Sequence, residues 1–121
     1  MTTGERAHSD EYGMRYDPNN VYVVERARSV SEAEWNKLPV ELLPLGVTLQ
    51  ANEETLKRSS IDRVISGTEP IREDYVTKLW RDGSGDLHIV DGHHRVAMYY
   101  VLGKPLPVRI MDGAGAVRPP R

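Results

Sequence analysis

The chain contains no cysteine, which excludes disulfides, thiolate metal sites and a cysteine nucleophile and says nothing about redox compartment. It has no run of about 18 apolar residues, so a membrane-spanning helix is not expected, and its polar start, MTTGERAHSDEYG, lacks the apolar centre of a secretory signal. A cytoplasmic protein without a membrane partner is the expectation. Internal repeats are absent. A uniformly basic surface is missing too, because the formal net charge is -2, and that disfavours tight binding of duplex nucleic acid. The charge is uneven, however: residues 91 to 121 carry five Lys or Arg against two acids, so the basic excess begins at a single cluster, DGHHR.

At 121 residues the chain is one domain's worth, enough for one modest core. Residues 1–20, with Gly4, Gly13, Pro18 and the pair Asn19 and Asn20, show no sustained period and read as a loose arm. VYVVER, from Val21, has the β-branched density of a strand. Ser31 followed three residues later by Glu34 has the spacing of a capping box, so a short helix follows and stops at Pro39. In residues 52–67, Asn52 can cap a helix, Glu53 and Glu54 suit its positive end, and Gly67 can close it. YVTKLW and LHIV, separated by RDGSGD, read as a hairpin with a long glycine-containing loop. From His93 to Leu102 a helix is expected that is apolar almost all round and hence largely buried, stopped by Gly103 and Pro105. LPVRI is a final strand and residues 113–121 a flexible tail. The fold class is therefore α+β: a small mixed β-sheet packed against helices over residues 21–112.

The chemistry gathers where LHIV meets the buried helix. Asp91 and Gly92 fall at the helix start, where up to four amides lack intrahelical partners and the dipole end is positive. An anion is favoured there; Asp91 can alternatively cap the helix, Gly92 admits close approach, and His93, His94 and Arg95 add donors for phosphate oxygens. A plain turn followed by a solvated N-cap is the structural alternative. His88, Asp91, His93 and His94 lie close in sequence, but adjacent histidines diverge on a helix and no HExxH spacing occurs. No intrinsic metal site is expected, with Mg²⁺ held through Asp91 as the exception.

Two segments resemble a known family. LHIVDGHHRVAMYYVLGKPLPVRIMD is similar to the second box of the ParB/sulfiredoxin-like superfamily: a strand, G-x-x-R at a helix start, a small-residue helix, then a glycine and a short strand. LKRSSIDRVISGTEPIREDYV resembles its first box, with Ser60, Ile61, Gly67, Pro70 and Ile71 in order. The likeness covers residues 53–112 and gives residues 1–50 no counterpart. It implies a ParB/sulfiredoxin-like fold and a nucleoside triphosphate, with Mg²⁺, held between Gly67, Thr68, Pro70 and Ile71 on one side and Gly92, His93, His94 and Arg95 on the other. His93 stands where sulfiredoxin has cysteine, so sulfinic-acid repair is not implied. The Asp-Gly-His-His-Arg order is most like the free-serine kinases of the superfamily.

The resemblance thus points to nucleotide binding, with ATP or CTP as candidates, and to NTP-dependent phosphoryl transfer or hydrolysis. In that scheme Arg95 and His94 bind phosphate oxygens, Asp91 orients a metal or nucleophile, and Glu69, next to Pro70, is the candidate base. Phosphate binding through His94 would strengthen as pH falls through the histidine range. Two alternatives belong to other classes: a ParB-like DNase acting on DNA, with a histidine activating water, and a non-catalytic module binding a nucleotide or another protein.

Overall fold

The computed structural model describes residues 6–67 and 75–113. In chain order the elements are β1 (Arg6–His8), a 3-10 turn (Ser9–Tyr12), β2 (Met14–Tyr16), α1 (Asn20–Val23), α2 (Glu25–Arg28), α3 (Glu32–Asn36), β3 (Glu41–Leu43), β4 (Leu49–Ala51), β5 (Thr55–Lys57), α4 (Arg58–Ile65), β6 (Thr77–Arg81), β7 (Leu87–Asp91), α5 (His93–Leu102) and β8 (Leu106–Asp112). Six strands form a mixed sheet in the order β2-β4-β7-β6-β8-β3, and β1 and β5 form a separate antiparallel pair. The β6–β7 hairpin lies at the centre, antiparallel, with a register shift between Lys78 and Leu79. The protein is α+β.

Alternation along the central strands puts a core on each sheet face. Leu79 and Ile89 pack on one side with Ile61, Val96, Ala97 and Tyr99 from α4 and α5. Trp80 and Val90 face the other side, where Val24 between α1 and α2, Ala27 of α2 and Trp35 of α3 cover them. A hairpin buried on both faces cannot shift its register without exposing one set of these side chains. Its loop is closed by Asp82, whose carboxylate accepts from Ser84 N at 2.7 Å and Asp86 N at 3.1 Å. Burial pushes the Asp82 carboxyl up, but hydrogen bonds from His88 and these two amides outweigh it and hold the group below its ordinary value. His88 bridges Asp82, at 2.6 Å, to the buried Asn20 of α1. One histidine thereby ties the hairpin loop to the helical layer.

Several expectations are corrected here. Residues 6–20 are packed, contrary to the loose arm: Ala7, Ser9, Tyr12, Met14 and Asn20 are buried, because β2 joins the sheet edge parallel to β4. Residues 1–5 and 114–121, the rest of the expected arm and tail, lie outside the described residues. Gly113 does not belong to a free tail, since its N–H donates to Arg81 O at 2.8 Å. VYVVER is helical, divided between α1 and α2, because burying Val24 and Ala27 on one side against Trp80 needs helical spacing and overrides β-propensity. Residues 55–57 form a strand, and α4 starts only at Arg58 with no side-chain cap, so Asn52 caps nothing. Ser31 does cap α3, accepting from Glu34 N at 3.2 Å.

Helix α5 has the bounds expected, His93–Leu102, but its burial is one-sided. Val96, Ala97 and Tyr99 are buried, whereas Tyr100 is 53% and Val101 38% exposed. An apolar composition all round therefore does not mean burial all round; one helix face is left for solvent or for a ligand.

Candidate functional site

Strand β7 leaves the sheet at Asp91, and the chain turns into α5 through Gly92 at φ 111°. A side chain would not fit here. A Cβ on Gly92 would stand 2.8 Å from Thr77 Oγ1 and 3.2 Å from its methyl group, and Thr77 is fully buried. This close approach of β6 leaves room at the corner for glycine alone. No side chain caps that turn, so the Asp91 carboxylate does not take the capping role open to it in the sequence. The first-turn amides lack intrahelical partners, and their residues line an open cleft of about 280 Å³. Glu53, Tyr75 and residues 91–95 line it, together with Met98.

Arg95 is the unusual member. Its guanidinium lies over the Tyr75 ring, 5.0 Å from the centroid. Its Nε and Nη1 are buried and make no hydrogen bond. Tyr75 also donates its hydroxyl to Asp91 Oδ2 at 2.5 Å. Burial, followed by the hydrogen bond and charge of Asp91, pushes the phenol up to about 12, so it stays protonated and continues to donate. One tyrosine thus touches both the acid and the base of the corner.

The two histidines separate as adjacent helical residues must. His93 turns inward and is 3% exposed; its Nε2 accepts from Asn52 N at 3.3 Å, so Nδ1 carries the proton, 3.5 Å from Glu53 Oε2. What His93 retains for an anion is its backbone amide. His94 Nε2 accepts from Lys57 N at 3.0 Å, which leaves Nδ1–H as its donor. Burial holds both histidines below their ordinary value, although Glu53 opposes it in each case. The neutral imidazole is therefore the form that can donate to phosphate, and the expectation of tighter binding on protonation changes: a proton on Nε2 would cost the bond to Lys57.

A stability consequence follows from the sign of these shifts. The unfolded chain protonates at about 6.5 while both folded imidazoles resist it, so their contribution is complete above that pH. It is lost progressively as pH falls from there toward the lowered folded-state values. Urea unfolding at about pH 7.5 and about pH 5.5 is expected to find the parent less stable at the lower pH and the His93→Gln, His94→Gln double variant less pH-dependent. Equal pH dependence in both proteins would show that neither imidazole is held neutral by the fold.

Of the other residues singled out in sequence, Gly67 ends up exposed at the end of α4 and does not line the cleft. Thr68, Glu69 and Pro70 lie outside the described residues. Among the described residues no group of three or more His, Asp or Glu side chains is arranged to hold a metal ion, and no helix is long and apolar enough to cross a membrane. Sequence reasoning missed Glu53 and Tyr75. Glu53 looked like the acidic first turn of a helix, and its position beside His93 depends on β5 replacing that turn. Tyr75 looked like the first residue of a strand, and nothing local marks its contacts. Asp91, Glu53 and His93 also line a second, polar cavity of about 440 Å³ on the Trp35 side, together with Arg28 and Lys78. Lys78 is paired there with Glu32.

The fold and corner define an α+β domain with an open, arginine-bearing helix start. No protein-family model, curated protein or solved structure matches the chain.

Proposed function

We propose that the corner from Gly92 to Arg95 binds the phosphates of a nucleoside triphosphate, and that the domain belongs with the ParB/sulfiredoxin-like proteins and carries out NTP-dependent phosphoryl transfer or hydrolysis. The observation that carries this reading is Arg95: two of its guanidinium nitrogens, Nε and Nη1, are buried without a hydrogen-bond partner, beside an uncapped helix start. Burying a cation without hydrogen bonds is costly, and an oxyanion supplies both charge and acceptors.

In this scheme the α5 amides and Arg95 hold the phosphate oxygens, and His94 donates through Nδ1. Asp91 keeps its second carboxylate oxygen for Mg²⁺ carried in with the nucleotide; the ion would supply charge neutralisation on the phosphates. Tyr75 positions Asp91 and Arg95 together. Asp91 and Glu53 border both the phosphate cleft and the adjoining polar cavity, so an acceptor hydroxyl placed in that cavity has carboxylates beside it. Glu53 therefore joins Glu69 as a candidate base.

Calorimetric titration with ATP, ADP, CTP and GTP, with and without Mg²⁺, followed by a turnover assay on the nucleotide that binds, tests the proposal. Saturable triphosphate binding strengthened by Mg²⁺ and followed by release of diphosphate is the expected result. Binding without turnover would leave a nucleotide-binding module, turnover of DNA alone a nuclease, and no binding at all would remove the reading.

A further inference from the structure

A further cavity of different chemistry, about 280 Å³ in volume, lies between α5 and the 43–49 loop. Its helical lining, Val96, Tyr99 and Tyr100, lies about 6 to 12 Å along the helix axis from Gly92. Leu43, Leu49, Val96 and Leu106 supply apolar walls. Tyr100 forms another wall by lying against Gly13, where a Cβ would come within 2.7 Å of its ring. Two features distinguish the cavity from a gap in packing. Tyr12 and Tyr99 line it, are more than nine-tenths buried, and have hydroxyls that hydrogen-bond to no other group among the described residues. Neither hydroxyl is sealed from solvent, so both stay open to a hydrogen-bonding ligand. The single charged residue in the lining is Lys104, exposed and without an ion pair among the described residues, and no acid lines the cavity in a protein whose net charge is -2.

We propose that this cavity binds a small apolar monocarboxylate, an aryl or branched-alkyl acid whose body enters between the leucines and whose carboxylate meets Lys104 and the tyrosine hydroxyls. The volume falls at the small end for small-molecule sites. A strand-adding protein partner fits less well, because β3, the neighbouring sheet edge, is three residues long and flanked by Pro39 and Pro44. The main chain at Lys104 is fixed to the end of α5, its N–H donating to Tyr99 O at 3.2 Å.

The test is titration of the full, isotope-labelled chain with 3-phenylpropionate and, in parallel, with the neutral 3-phenylpropan-1-ol, read by amide chemical shifts. The acid is expected to give saturable shifts confined to residues 12–13, 43–49 and 96–106, with the alcohol binding about three- to fivefold more weakly, the range of an exposed charge pair. Lys104→Glu should abolish that preference for the acid, and Tyr99→Phe should weaken binding of the acid. Equal affinity for acid and alcohol, an unaltered preference in Lys104→Glu, or no saturable shift would overturn the proposal. So would shifts of the same residues that follow protein concentration without ligand, since the face would then be an interface between copies of the chain.

Discussion

Replacing Arg95 by alanine is expected to weaken nucleotide binding by roughly 10- to 150-fold, the equivalent of about 1.5 to 3 kcal/mol for hydrogen bonds to a charged group. The free protein should respond differently. Because Nε and Nη1 are buried without partners, the parent bears a desolvation cost that alanine does not, which the stacking on Tyr75 offsets in part. Arg95→Ala should therefore unfold at the same urea concentration as the parent or at a higher one. Arg95→Lys keeps the charge but loses the planar fork, and an intermediate affinity is expected. Calorimetry on the three proteins with one nucleotide, beside urea unfolding of each, separates the two effects. Unchanged affinity in Arg95→Ala would make the corner a structural turn, and a large loss of stability would mean that the guanidinium is satisfied within the fold.

Gly92→Ala is expected to cost about 2 to 4 kcal/mol of folding stability, of which left-handed backbone accounts for about 1 to 2. At φ 111° the residue lies in a region that L side chains rarely adopt, and the new methyl would meet Thr77 at 2.8 to 3.3 Å. Thr77 has no room to retreat, being 0% exposed in the central strand β6. Its own hydroxyl is buried without a partner, so Thr77→Ala loses no hydrogen bond and removes the atoms the new methyl would strike. The double variant should then recover the contact part of the loss and keep the backbone part. Denaturant unfolding of the two single variants and the double measures this coupling. A Gly92→Ala protein as stable as the parent would show that the turn has another conformation available and that the helix start is not rigidly held.

Both results depend on a corner whose position in the chain is legible locally. A strand, then Asp-Gly, then a helix closed by Gly103 can be read from residues within a few positions of each other, and α5 has the expected bounds. The Ser31 cap and the β6–β7 hairpin are of the same kind. What each side chain of the corner does is another matter. His93 and His94 are indistinguishable as letters; one is buried and the other half-buried because α5 lies with its Val96–Ala97 side on the sheet, bringing Asn52 to the first ring and Lys57 to the second.

The sequence by itself determined the α+β class, the central hairpin, the bounds of α5 and the place where its polar cluster stands, because caps, turn residues and short-range periodicity act between near neighbours. Tertiary structure alone decided that residues 6–16 join the fold, that VYVVER is helical, that β5 replaces a helical turn, and that Glu53 and Tyr75 complete the corner. Those outcomes rest on contacts between residues far apart in the chain, Glu53 with His93 and Tyr75 with Asp91 and Arg95. Such pairs meet only once the strand order is set, and burial of Val24, Ala27 and Trp35 against the second sheet face outweighs the fraction of a kcal/mol by which local propensity favours a strand.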